Sequence, residues 1–332
     1  MRIVSKPLLS LSISASCLGL AACGGSSGGS TTPTGPDTAA RTLAATNTAQ
    51  ANSACTAVQP FYWEIGDKAQ RLASASVGGM TYIASTSMPI ASASKWLYGA
   101  YVAERRAGVL TAEDIKYLNF RSGYTNFSSG GCDNADTVAS CLTHDGNGDY
   151  VASTAGKFYY SGAHMQKHAS LPSPGMGLGA LANAALATEI RAQLGTDIEL
   201  SYTQPQLAGG VKTTPNDYAL FLRKLLNNQL KMAALLGSNK VCTNPTTCTD
   251  ALRTPITANV DWHYSVGHWV EDDPATGDGA FSSAGAFGFY PWVDAGKTYY
   301  GIVARVDGIG GGNDSAVCGA IIRKAWTTGV QQ

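Results

Sequence analysis

Apolar and polar positions alternate with period two along "FYWEIGD" (61–67) and "RLASASVGG" (71–79), which predicts strands. "MTYIASTS" (80–87) reads as a third, with "VGGM" the hairpin turn before it. The period changes to that of a helix from Ser92 to Ala107, which stops at Gly108, and Thr111 with Asp114 forms a capping box for the next helix. "LGALANAALATEIRAQLG" has helical spacing up to Gly195. "TTPNDYALFLRKLLNN" begins with a Thr214 cap and Pro215 in its first turn. Beyond Cys248 the strand pattern returns in "YSVGHWV", "GAFGFYPWV" and "TYYGIVARV". A last helix, about Ala316 to Thr327, follows the turn "GIGGGNDS". Strands at both ends with helices between them predict an α/β chain of the α+β type, its antiparallel sheet assembled from both termini around an inserted helical region.

The segments outside this pattern set the organisation. Residues 23–54 are rich in Gly, Ser, Thr and Ala, lack aromatics, and read as a flexible tether, so the folded domain spans 55–332. Residues 1–22 have a positive start at Arg2 and Lys6 and a short apolar stretch, Leu8 to Leu20, too short to span a bilayer. The ending Leu20-Ala21-Ala22-Cys23 resembles a bacterial lipoprotein signal, which implies a lipid on Cys23, a membrane contact through that anchor, and a periplasmic or cell-surface location. An ordinary secretory signal has the same physics, and both export the chain.

Composition narrows the classes further. Of 332 residues 44% are hydrophobic, ample for a core, and Lys plus Arg balance Asp plus Glu at 23 each without a basic run, which argues against a nucleic-acid partner. Apart from Cys17 and Cys23, the cysteines are even in number. The close pairs Cys132–Cys141 and Cys242–Cys248 suit short disulfide loops, which leaves Cys55–Cys318 to join the start of the domain to its last helix. No cysteine or histidine spacing suits a zinc site, and "DGNGD" (145–149) lacks the offsets of a calcium loop, so no metal is expected.

The chemistry concentrates at Ser92 and Lys95. A serine hydroxyl becomes nucleophilic when a base removes its proton, and a lysine three residues on shares its helix face. The apolar run Trp96, Leu97, Ala100, Tyr101 would keep that amine dry and lower its pKa. By contrast "GGSSG" (24–28) matches a nucleophile elbow only formally, with no strand before it or helix after it. His263 and His268 flank an apolar strand and read as packing residues. His164 reads equally as pocket lining or structure, and Trp96, Trp269 and Trp292 as core or pocket wall.

Ser92-x-x-Lys95 resembles the first motif of the serine β-lactamase, penicillin-binding protein and family VIII carboxylesterase superfamily. Tyr160-Ser161-Gly162 is similar to its second motif, "LAGGVKTTPNDYALFL" to the helix that follows, and Ser283-Ala284-Gly285 stands in place of the third, all in family order over about 56–328. The resemblance implies a β-lactamase/transpeptidase-like fold, an acyl-enzyme on Ser92 with Lys95 as base, and Tyr160 in the proton relay with phenolate character supported by Lys95. Tyr159 is the neighbouring alternative to Tyr160. Backbone amides of Ser92 and of Ala286, on an edge strand, would form the oxyanion hole, and Ser161, Gly162, Ser283, Ala284 and Gly285 would line the pocket. It implies no cofactor. Gly162 replaces an amide side chain and Ser283 a cation that would hold a substrate carboxylate, which favours ester or amide substrates without that carboxylate over penicillins unless Arg323 or another basic residue substitutes. A D,D-peptidase or β-lactamase on cell-wall chemistry, and a non-catalytic binding lipoprotein, are the competing readings.

Overall fold

Along Phe61–Asp67 the side chains alternate between two cores, Tyr62 entering one and Phe61, Trp63 and Ile65 the other. A computed structural model describes residues 35–128, 131–308 and 310–332, so the leader, Cys23 and the first part of the tether lie outside it. The described chain begins with α1 (Thr38–Ala51) and α2 (Ser53–Thr56), then the hairpin of β1 (Phe61–Asp67) and β2 (Arg71–Val77). After β3 (Met88–Pro89) and a 3₁₀ turn (Ala91–Ala93) come α3 (Ser94–Arg105) and α4 (Ala112–Leu118). The middle of the chain holds β4 (Phe158–Tyr159), α5 (Ala163–Ser170), α6 (Asn183–Leu194), β5 (Leu200–Tyr202), β6 (Val211–Thr213), α7 (Pro215–Leu226) and α8 (Met232–Leu235). Strands β7 (Val241–Cys242), β8 (Ala251–Arg253), β9 (His263–Ser265), β10 (His268–Glu271), β11 (Ala280–Ser282), β12 (Tyr290–Val293) and β13 (Tyr299–Ala304) lead to α9 (Gly311–Thr328).

The main sheet runs β2-β1-β13-β12-β11-β10-β9-β7, antiparallel throughout, with both ends of the chain pairing at β1–β13. On one face α1, α2 and α9, the last with Trp326, pack over Trp63, Trp292 and Val303. On the other, α3 and α7 join a larger core that includes Trp96, Phe221, Trp269 and Ile302. This is the expected antiparallel sheet from both termini with helices inserted between.

Several local expectations are corrected. The β1–β2 turn is Lys68–Gln70, where Asp67 Oδ1 accepts from the amides of Ala69 and Gln70. Thus "VGGM" leads out of β2 rather than making the hairpin, and residues 80–87 form turns with Met80 exposed. "YSVGHWV" is not one strand: it folds at Val266-Gly267, with φ of +99° at the glycine, into the β9–β10 hairpin. His268 there is buried, stacks on Trp96 and accepts from the Gly237 amide, a packing role.

The largest correction concerns the tether. Asp37 caps α1 by accepting from the Ala40 amide, and Ala44, Ala45, Thr48 and Ala49 are buried against α9. Arg41 binds the Trp326 carbonyl, Asn52 the Gln332 carbonyl, and the Gln332 amide donates to Thr48, so the described part of 23–54 belongs to the folded unit Pro36–Gln332. Low complexity concealed it because alanine has high helix propensity and lets helices approach closely without any large apolar residue. Cys55–Cys318 tethers the same corner, and Cys132–Cys141 and Cys242–Cys248 close short loops.

An acidic side chain in the α1–α9 contact should therefore be disruptive. Ala45→Asp should lower the unfolding free energy in urea by about 2 kcal/mol or more, whereas Leu43→Asp, on the exposed face, should stay within about 0.5 kcal/mol. Equal, negligible effects would return this segment to the status of a tether.

Candidate active site

The turn that carries Ser92 is held in a conformation that its residues would not choose. Ala91 has φ of +43°, a left-handed value that costs a non-glycine residue roughly 1–3 kcal/mol. Its neighbours are pinned on every side. Ile90 N–H donates to Val211 C=O (3.0 Å), Tyr218 Oη to Ala93 C=O (2.9 Å) and Ser283 Oγ to Ser92 C=O (3.1 Å). A Cβ on Gly285 would lie 2.1 Å from the Ile90 carbonyl oxygen, so the chain after β11 presses directly on this turn, an approach open only to glycine. Ser92 emerges half-buried from the 3₁₀ turn that leads into α3, which begins at Ser94 rather than at Ser92 as expected.

Lys95 stands one turn on. Its Nζ lies 2.9 Å from Ser92 Oγ and 2.8 Å from the Ala208 carbonyl oxygen. The residue is 4% exposed, within a helix buried from Ser94 to Ala103. The β9–β10 turn seals the helix, because Cβ atoms on Gly99 and Gly267 would lie 2.4 Å from Val266 O and 2.8 Å from Lys95 O. No carboxylate pairs with the amine among the described residues, and burial pulls its pKa down from 10.5 to about 7. A neutral Lys95 can donate to Ala208 C=O and accept the Ser92 hydroxyl proton.

Tyr160, not Tyr159, joins this pair. Its ring centroid is 4.9 Å from Lys95 Nζ, and it stacks on Trp269 at 5.5 Å with Phe120 and Tyr264 edge-on. The Tyr159 ring faces Arg253 instead, as alternation along the strand requires. The expected phenolate character is corrected: burial pushes Tyr160 up to about 12, against a smaller downward pull from the Ser92 hydroxyl, so the phenol keeps its proton at neutral pH. His164 does not line the pocket. It is buried, held neutral by burial, bonds Ser122 Oγ through Nδ1 at 2.6 Å and reaches the Tyr159 carbonyl through Nε2 at 3.0 Å, which anchors the backbone leading into Tyr160.

The remaining motif residues divide by orientation. Ser161 Oγ accepts from the Ala163 amide at the start of α5, while Gly162 faces Ala208 and Phe127. Ala284 turns toward the core shared with α9, opposite Ser283 and Gly285. Ala286 is not on an edge strand: β11 is interior, and Ala286 opens the tight turn to β12. That turn is closed by Gly285 N–H to Phe289 C=O and Gly288 N–H to Gly285 C=O, and braced by Asp307 N–H to Phe287 C=O and Gly310 N–H to Ala286 C=O. None of these uses the Ala286 amide. Arg323 is buried in bonds to Glu271, Asp278 and Tyr290 and cannot serve a substrate carboxylate. Away from the site, Asp133, Asp136 and His144 bring potential ligand atoms within 4.8 Å, but Asp136 is already bonded to His144, Ser140 and the Asp133 amide.

Sequence reasoning missed Ala91, Ala208, Phe120 and Tyr264, the last two completing with Trp269 the aromatic box around Tyr160. Of these only Ala208 had a signal, its place in the "LAGG" stretch.

No protein-family model matches the sequence, and no curated protein matches it either. Solved structures do match the fold. A Bacteroides dorei protein provisionally assigned as a β-lactamase aligns with TM-score 0.59 at 20% identity, over 80% of this chain and 93% of its own. The D-amino acid amidase of Ochrobactrum anthropi SV3, complexed with L-phenylalanine amide, gives 0.57 at 11%, over 86% and 98%. EstCE1, a hydrolase with promiscuous acyltransferase activity, gives 0.57 at 11%, over 86% and 99%. The chain has the serine β-lactamase/penicillin-binding protein fold.

If Lys95 serves as base, only its neutral form accepts the proton. Acylation kcat/KM should then rise with pH through about 7 and level off above it. A pH profile already flat at pH 5 would contradict this role.

Proposed function

We propose that the protein is an exported serine hydrolase that acylates Ser92 and passes the acyl group to water, with carboxylic esters as preferred substrates. One observation carries the reading: a desolvated amine, without a carboxylate partner among the described residues, at 2.9 Å from a half-buried hydroxyl at the mouth of a buried helix. Lys95 takes the Ser92 proton as Oγ attacks the substrate carbonyl, and the Ser92 and Ala286 amides receive the oxyanion. Tyr160, protonated beside both groups, delivers a proton to the departing alkoxide and is reprotonated by Lys95. Water then repeats the sequence on the acyl-enzyme. The scheme uses no cofactor.

Ester substrates without a carboxylate are favoured because Ser283 occupies the cation position and directs its hydroxyl at the Ser92 carbonyl, while Arg323 is held elsewhere. The three disulfides fit an oxidising compartment outside the cytoplasm, and among the described residues no helix is long and apolar enough to cross a membrane. A lipid on Cys23 would complete this picture, with the segment up to Pro36 as spacer.

Ser92→Ala should reduce hydrolysis of short-chain nitrophenyl esters by on the order of a thousandfold or more and abolish labelling by a fluorophosphonate probe. Retention of full hydrolysis would remove the assignment. Lys95→Met should lose acylation to a similar degree without lowering the melting temperature, since it replaces a buried amine by an apolar side chain of similar length. Nitrocefin turnover exceeding ester turnover would transfer the assignment to β-lactam chemistry.

A further inference from the structure

Tyr160 takes its place from a strand that has little packing of its own. Apart from the eight-stranded sheet, β4 pairs in parallel with β8: the Phe158 amide donates to Asp250 C=O (2.6 Å) and the Tyr160 amide to Arg253 C=O (3.0 Å). On the other side the Tyr159 amide is held by Phe120 C=O (3.0 Å). Strand β8 buries only Ala251, while Leu252 is 41% exposed and Arg253 is exposed, so apolar burial contributes little to its position. What ties it down lies just before it. Cys248, whose carbonyl accepts from the Ala251 amide (3.2 Å), is bonded to Cys242 on β7, the edge strand of the main sheet. The loop closed by this bond holds buried Asn244, which donates to Ala258 C=O (3.0 Å) past the far end of β8. The loop therefore braces the chain on both sides of β8.

The same disulfide is the accessible one. Cys55, Cys132, Cys141 and Cys318 are at most 1% exposed, whereas Cys242 and Cys248 are half-buried and line a cavity of about 470 Å³ together with Arg121, Phe158 and Lys240. We propose that Cys242 and Cys248 are positioning residues for Tyr160 and form a thiol-responsive clamp. Closed, their disulfide holds β8 and with it the phenol that protonates the leaving alkoxide; opened by a low-molecular-weight thiol, it frees β8 and slows that step. This rests on the proton-donor role of Tyr160 proposed above. In the opening reaction a thiolate attacks one of the two sulfurs and expels the other as a thiolate, and a second thiol displaces the mixed disulfide. Two thiols are thereby oxidised to their disulfide, and Cys242 and Cys248 each gain one electron and one proton. In an oxidising compartment the clamp is closed at rest.

The test compares ethyl butyrate with nitrophenyl butyrate, which share an acyl group. Nitrophenolate leaves without a proton and ethoxide needs one, so the ratio of kcat/KM for the ethyl over the nitrophenyl ester reads the Tyr160 step. In the wild-type protein treated with dilute dithiothreitol, alkylation and peptide masses should show Cys242 and Cys248 reduced first. The ratio should then fall about tenfold and return on reoxidation of an unalkylated sample. The double variant Cys242→Ala/Cys248→Ala should show the lowered ratio without thiol and no further response to it, as should Tyr160→Phe. A ratio within about twofold of the untreated value once this bond is open, which includes an equal slowing of both esters by general loosening, would overturn the clamp while leaving Ser92 in place. Reduction of either other disulfide ahead of it would do the same. A normal ratio in Tyr160→Phe, or wild-type hydrolysis that does not depend on Ser92, would overturn the reading above and this inference with it.

Discussion

The burial of one amine is the constraint on which the site depends. An ammonium enclosed by the Tyr160 ring, the Ala208 carbonyl and the sealed backbone of α3 loses its hydration, and without a carboxylate partner among the described residues it gives up its proton near pH 7 instead. The burial opposes folding. Between about 7 and the ordinary 10.5 the unfolded chain binds a proton at Lys95 that the native chain does not, so this residue's contribution to stability rises with pH across that window and is lowest below it. Surrounding the amine with tight packing on all sides is what allows the native state to carry this load.

That packing is made by backbone approaching backbone. Gly99 meets Val266, Gly267 meets Lys95, and Gly285 meets Ile90, each at a distance that excludes a Cβ. These contacts lock the inserted helices onto the central strands of a sheet built from both chain ends, so the Ser92 turn and the β11–β12 turn face each other as a consequence of the fold. The left-handed Ala91 belongs to the same arrangement: its strain persists because Ile90, Ser92 and Ala93 are each bonded to a different element. The corner joined by Cys55–Cys318 and by α1 on α9 holds the first described helices to the last one at the opposite face.

Strands β1, β2 and β13, helices α6 and α7, and the Thr111–Asp114 box follow from short-range rules of alternation, periodicity and capping, and those rules hold regardless of what packs nearby. The β9–β10 hairpin was missed because apolar residues continue through its turn, where only the conformation of Gly267 marks the reversal. Helix α1 was missed because an alanine face has little hydrophobic contrast, and what orders it is a partner helix from the far end of the chain.

For the site, sequence alone determined the pairing of Ser92 with Lys95, since a spacing of three on a helix places two side chains on one face whatever surrounds them. Alternation along an extended segment sends Tyr159 and Tyr160 to opposite sides, but which of them meets Lys95 was left to the tertiary structure. Tertiary structure alone decided the protonation of these groups, because a pKa depends on the dielectric and partners that distant segments supply. Likewise, no local pattern could bring the Ala208 carbonyl to Lys95 or Ala286 into a braced turn, as each is a meeting of residues far apart in the chain.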